Sequence, residues 1–158
     1  MSSSNPFSHL DDRGQARMVD VSEKSITRRV AEASCRVKLS QETVSRLGDL
    51  PKGDAYTVAR LAGIQGAKRT GELVPLAHPL GLDQIEVEIV PEAGGVRIRS
   101  RVIVTARTGA ELEAMVACSM AALALYDMVK AVERDAVIGD LRLEAKSGGR
   151  SGEFRRQE

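Results

Sequence analysis

Residues 26–39, ITRRVAEASCRVKL, alternate between Ala31, Ala33, Cys35, Val37 and Leu39 on one side and Arg28, Glu32, Arg36 and Lys38 on the other. A period of two marks a strand buried on one face. Ser40-Gln-Glu-Thr43 offers a serine cap for a short helix that runs to about Leu47 and stops at Gly48. Lys52-Gly-Asp54 opens a longer helix with Asp54 as its N-cap. Ala55, Val58, Ala59, Ala62 and Gly66 share one helical face there, and their small side chains predict close packing. This helix is expected to end before Pro75, because the residue ahead of a proline avoids the helical region.

Two strands follow. Residues 84–90 (QIEVEIV) place Ile85, Val87 and Ile89 inward, and residues 96–105 (VRIRSRVIVT) do the same with Val96, Ile98, Val102 and Val104. Pro91-Glu-Ala-Gly-Gly95 between them predicts a hairpin. The outer face then carries Glu86 and Glu88 opposite arginines, a cross-strand charge ladder. A second long helix spans about 110–132, rich in Ala, Leu and Met. The last strand, 137–145, alternates Val137, Leu141, Leu143 and Ala145 with Asp140, Arg142 and Glu144.

Strand, helix, strand, strand, helix, strand is the split βαβ order, so the predicted fold is α+β, a ferredoxin-like plait with an antiparallel sheet and helices on one face. The other face meets water or a partner. Residues 1–17 read as a polar arm, 18–146 as one domain and 147–158 as a Gly/Ser-rich tail. At 158 residues the chain has the size of one ordinary domain, and 42% hydrophobic content supports a core.

Charge changes the picture by subtraction. Twenty-three Lys and Arg against 22 Asp and Glu give a net charge of +1, which removes the usual reason to expect a nucleic-acid or membrane-surface partner. Two cysteines cannot build a disulfide framework, and no stretch is read as reaching the ~20 apolar residues of a membrane span. Met1-Ser-Ser-Ser-Asn-Pro6 lacks a secretory pattern. A soluble cytoplasmic protein is the expectation.

The candidate chemistry is cationic and carboxylic. His9, His78, Cys35 and Cys118 are the soft ligands, without C-x-x-C or H-x-x-x-H spacing, so no structural metal is expected. Neither a P-loop nor a dinucleotide-binding glycine motif is present. Lys146-Ser-Gly-Gly-Arg-Ser-Gly152 reads either as an anion nest or as a flexible tail. His78, between Pro75 and Pro79, is either a positioned functional group or a turn residue bonded to its own backbone.

Glu113, Met120 and Asp127 recur every seven residues and so share one helical face. Along the axis Glu113 and Asp127 are ~21 Å apart, too far to grip one small ligand within one subunit. Three readings stay open: separate roles, a site shared across a subunit interface, or solvated and idle ends. Asp127 and Lys130 are either an ordinary surface pair or an acid–base couple. Lys52 precedes a helix N-terminus, where anions are attracted, and Lys68-Arg69 complement the dipole at its other end.

Met18-Val-Asp-Val-Ser22, Lys52-Gly-Asp54, Ala59-Arg-Leu-Ala-Gly-Ile-Gln65, Ala67-Lys-Arg-Thr70, Leu76-Ala-His-Pro-Leu80, Thr108-Gly109, Glu111-Leu-Glu-Ala114, Tyr126-Asp-Met128, Lys130-Ala-Val132, Val137-Ile-Gly139 and Lys146-Ser-Gly-Gly149 occur in that order. Together they closely resemble the molybdenum cofactor biosynthesis protein C family, the cyclic pyranopterin monophosphate synthases, over about residues 15–152. The resemblance implies a ferredoxin-like subunit in a homohexamer, a trimer of dimers with active sites between subunits. It also implies a lyase of molybdopterin synthesis. A cyclised dihydroguanosine triphosphate, made from GTP by a radical enzyme, becomes cyclic pyranopterin monophosphate with loss of pyrophosphate.

By the same resemblance Asp127 is the catalytic aspartate and Lys52 and Lys130 are proton-transfer lysines. Leu76, Ala77, His78, Leu112 and Glu113 contact substrate, while Lys68, Arg29 and Lys146 face phosphate or complete the pocket. No cofactor is required, although Mg²⁺ can accompany the triphosphate, and transient contact with the radical enzyme of the preceding step is implied. The family often has Cys at Ala77 and Val129, Met at Leu112 and Lys at Arg150. These departures argue against a thiol mechanism and leave a lysine-based one intact.

Overall fold

The computed structural model describes residues 9–11 and 13–157. Its elements are β1 (Thr27–Lys38), α1 (Gln41–Arg46), α2 (Ala55–Lys68), α3 (Thr70–Leu73), β2 (Gln84–Glu92), β3 (Gly95–Ala106), α4 (Glu111–Val129), β4 (Val137–Ser147) and β5 (Phe154–Arg155). The strands form one antiparallel sheet in the order β2-β3-β1-β4-β5, with the helices on one side. The α+β class, the antiparallel sheet and the one-sided helical cover are as the alternation predicts. Of the arm expected over 1–17, residues 1–8 and 12 lie outside the described part, and the described remainder is joined by a bridge between Leu10 and Ala16.

The core is aliphatic. Leu47, Ile98, Leu125, Val37 and Val104 are fully buried between sheet and helices, each such side chain contributing roughly 1.5–3 kcal/mol. On the outer face the expected ladder is in register, Glu86 opposite Arg101 and Glu88 opposite Arg99. Arg101 also lies 3.5 Å from Glu32, while Glu92 is 2.7 Å from Arg36 and 3.1 Å from Arg97.

Helix α4 runs through the middle of the helical layer, packed against β1, β3 and β4 on one side and α2 on another. It is long and apolar enough by length and composition to cross a membrane, contrary to the expectation that no segment is. Here it serves as a core helix, with Ala114, Ala117, Cys118, Ala121, Ala122, Leu125 and Val129 buried.

The face of α2 turned to α4 is Ala55, Ala59, Gly63 and Gly66, whereas Val58 of the predicted stripe is 39% exposed. Glycine is needed at Gly63, because a Cβ there would stand 2.8 Å from the Ala117 carbonyl oxygen. α2 ends before Pro75, as expected, and does so at Lys68. The buried Thr70 hydroxyl bonds back to the Gly66 carbonyl at 3.4 Å, a contact that bends helices, and α3 restarts one residue after Arg69.

Strand β4 departs most from simple alternation. Two register shifts against β1, between Glu32 and Ala33 and between Ser34 and Arg36, insert extra residues into β4, and Asp140 adopts φ +55° at one of them. Val137 and Leu141 are therefore exposed instead of buried. Past the second bulge Lys146 pairs with core-facing Ala31, which turns its side chain to the helical side. The tail expected to be loose returns as β5, pairing Phe154 with Lys146 and Arg155 with Ala145.

Candidate functional site

Asp127 occupies the last turn of α4, and Lys130 is that helix's C-cap, its N–H donating to the Tyr126 carbonyl at 2.9 Å. Lys130 Nζ lies 2.7 Å from Asp127 Oδ1. Lys52 arrives from the turn between α1 and α2, which the Gly53 N–H closes onto the Leu50 carbonyl at 2.8 Å. Asp54 caps α2 just beyond it by accepting from Tyr56 N. Lys52 Nζ donates to the Asp127 carbonyl at 2.8 Å and lies 3.4 Å from Oδ2. It thus neutralises carbonyl charge at the negative end of the α4 dipole as well as the carboxylate.

Hydrogen bonds from Lys130 and then Lys52 hold the Asp127 carboxyl below its ordinary range, and Asp127 in turn raises Lys130. At neutral pH the cluster is one carboxylate between two ammonium groups, all three side chains about half exposed. Such a cluster can accept an anion, and Asp127 keeps Lys130 in its ammonium form.

The other end of α4 borders a pocket of about 360 Å³. Leu76, Ala77 and His78 enter from the loop after α3, Leu112 and Glu113 from the first turn of α4, and Val19 and Val21 from the chain ahead of β1. All five residues expected to contact substrate share this one pocket. His78 Nε2 lies 2.8 Å from the Val19 carbonyl, which can only accept, so Nε2 carries hydrogen. Glu113 is 3% exposed. Burial, with the nearby Glu111 charge, pushes its carboxyl up to about 7, so it can hold or release a proton near neutrality.

Lys146 donates to Glu111 Oε1 at 3.1 Å and to Ser151 Oγ at 3.1 Å, which places it beside this pocket. Arg29 is buried, its guanidinium donating to the Ala106 and Arg107 carbonyls at 3.1 and 3.0 Å. It stacks so closely on Gly149 that a Cβ there would meet Nη1 at 2.0 Å. Arg29 thus braces the β3–α4 loop, whose Thr108 and Gly109 line the pocket. Lys68 stands exposed at the end of α2 and is not among the lining residues.

The sequence-derived residues therefore gather in two places. Lys52, Asp127 and Lys130 meet at one end of α4, and the substrate-contact set meets at the other, ~21 Å away along the axis. Among the described residues no three His, Cys, Asp or Glu side chains converge as metal ligands. Glu111 as the partner of Lys146 and the Val19 carbonyl that orients His78 are contacts between distant segments and were not expected from the sequence. Main-chain acceptors leave no signature in residue types.

The fold and site define an α+β protein with proton-carrying groups at both ends of one central helix. The chain belongs to the MoaC family, whose model matches residues 18–149. It is 52% identical over 158 residues, covering 99% of this chain and 89% of the relative, to a protein of Streptomyces griseus named cyclic pyranopterin monophosphate synthase. A protein of that name from Pelotomaculum thermopropionicum is 52% identical over 96% of this chain and 91% of its own length. Cyclic pyranopterin monophosphate synthase 1 of Mycobacterium tuberculosis is 52% identical over 95% of this chain and 90% of its own.

Proposed function

We propose that this chain converts the cyclised dihydroguanosine triphosphate into cyclic pyranopterin monophosphate, as a lyase of molybdenum cofactor biosynthesis. The observation that carries the reading is Asp127 held between Lys52 and Lys130. In the phosphate step a substrate hydroxyl oxygen bonds to the α-phosphorus while the bond to the departing pyrophosphate breaks. The hydroxyl proton passes to a base, and the leaving oxygen takes a proton or a cation's charge. Ammonium groups beside a carboxylate suit both requirements.

Within one protomer the lysine cluster and the pocket of His78 and Glu113 are too far apart to act on one reacting centre. The reading therefore includes assembly, with one protomer's Lys52, Asp127 and Lys130 facing another's pocket, in a homohexamer built as a trimer of dimers. The strand order β4-β1-β3-β2 with two helical crossovers supports a ferredoxin-like plait for each subunit. Lys68, Arg29 and Lys146 would serve the phosphates or brace the pocket, any Mg²⁺ would arrive with the triphosphate, and the radical enzyme of the preceding step would be a transient partner.

Purified protein given the cyclised triphosphate should release pyrophosphate stoichiometrically with product. Lys52→Ala and Lys130→Ala should each abolish release while the assembly persists in sedimentation. Undiminished turnover in both variants would remove the lysines from the mechanism, and tight binding without release would make the protein a phosphate-ligand binder.

A further inference from the structure

Glu133 lies three residues beyond Lys130 and grips a different part of the chain. Its Oε1 accepts from the Ser40 N–H at 2.8 Å and its Oε2 from the Ser40 hydroxyl at 2.9 Å. Burial acts to raise this carboxyl, but hydrogen bonds from Thr43 and Ser40 outweigh it and hold it below its ordinary range. Ser40 is the N-cap of α1, the helix leading into the turn that carries Lys52. On the other side, Val132 N and Glu133 N both donate to the Val129 carbonyl at 2.9 Å, so the chain from Lys130 to Glu133 stays wound. The Tyr126 hydroxyl pins the next residue by donating to the Arg134 carbonyl at 3.0 Å.

We propose that Glu133 is a positioning residue for the Lys52–Asp127–Lys130 cluster, an inference that rests on the function proposed above. By holding both polar hydrogens of Ser40 it locks the α1 side of the Lys52 turn against the end of α4. α2 fixes that turn from its other side, through the Ala55 N–H donating to the Leu47 carbonyl at 2.8 Å. The lock matters because Lys52 reaches Asp127 Oδ2 at only 3.4 Å, and a slide of about 1 Å takes such a contact outside hydrogen-bonding range. Losing the grip leaves the fold in place. Ser40 is exposed, water replaces the carboxylate, and the Ser40 cap to Thr43 N at 3.2 Å survives.

The test compares wild type, Glu133→Ala and Glu133→Gln by pyrophosphate release and by acetic anhydride labelling of lysines, read by mass spectrometry with exposed Lys38 as reference. Glu133→Ala should lower kcat about tenfold or more, as misplacement on the 1 Å scale does, with KM little changed. Labelling of Lys52 relative to Lys38 should rise several-fold. Glu133→Gln, whose amide can accept from Ser40 N and donate to its hydroxyl, should retain most of kcat. An unchanged kcat and labelling ratio in Glu133→Ala, or a glutamine variant as impaired as alanine, would overturn the proposal. If wild type released no pyrophosphate while the labelling ratio shifted, the function would fail and the positioning role would stand.

Discussion

Glu113 and Asp127 stand at opposite ends of α4 as carboxyl groups in opposite environments. Glu113 is buried and pushed up to about 7, whereas Asp127 is open to solvent and held below its ordinary range by Lys130 and Lys52. Near neutrality one can carry a proton and the other carries charge. A buried acid and a cation cluster with charge to spare are complementary, which is the physical argument for a site completed between protomers.

Asp127→Asn keeps the shape and removes the charge that raises Lys130. Turnover should fall by roughly 10²–10⁴, the usual worth of positioned acid–base groups. Labelling of Lys130 relative to exposed Lys38 should increase, because its ammonium form loses its stabiliser. Single-turnover pyrophosphate release and mass spectrometry read the two effects separately.

The raised Glu113 carboxyl makes stability depend on pH with a definite sign. Between its ordinary value of 4.5 and about 7 the folded protein retains a proton that the unfolded chain has lost, so stability falls as pH rises and levels off above about 7. The total is on the order of 3 kcal/mol. Urea titrations from pH 4 to 8 should show this slope in wild type and not in Glu113→Gln. Cations docked from a second protomer would lower the Glu113 value, so the slope should weaken as protein concentration drives assembly.

Complementation addresses the shared site directly. Mixing Glu113→Ala protomers with Asp127→Ala protomers, after demonstrated subunit exchange, should restore part of the activity that each variant lacks. Exchange without rescue would place both ends of α4 in separate, unshared roles.

Gly63→Ala probes the contact that aligns the two helices. Its Cβ would sit 2.8 Å from the Ala117 carbonyl oxygen, backbone that cannot turn aside. We expect a loss of about 1–3 kcal/mol and a Tm lower by several degrees in calorimetry. Activity should fall as well, because separating α2 from α4 also carries Lys52 away from Asp127.

Much of this molecule was written in its alternation. Ala31, Ala33, Cys35 and Val37 mark one face of β1, the Glu and Arg rows of β2 and β3 meet in register, and Asp54 caps the helix that begins beside Lys52. The pairing of Asp127 with Lys130 follows from helical spacing alone. These features are local: a period, a cap and a one-turn separation act over a few bonds, so neighbouring residue types determine them. Other features were decided only when distant segments met. The bulges of β4 turn Lys146 to the helical side, where it finds Glu111, and the Val19 carbonyl orients His78. Glu133 ties α1 to the end of α4, and burial of Glu113 raises its carboxyl. Register, desolvation and main-chain acceptors depend on which surfaces come together in space, and that is a property of packing, not of residue order along the chain.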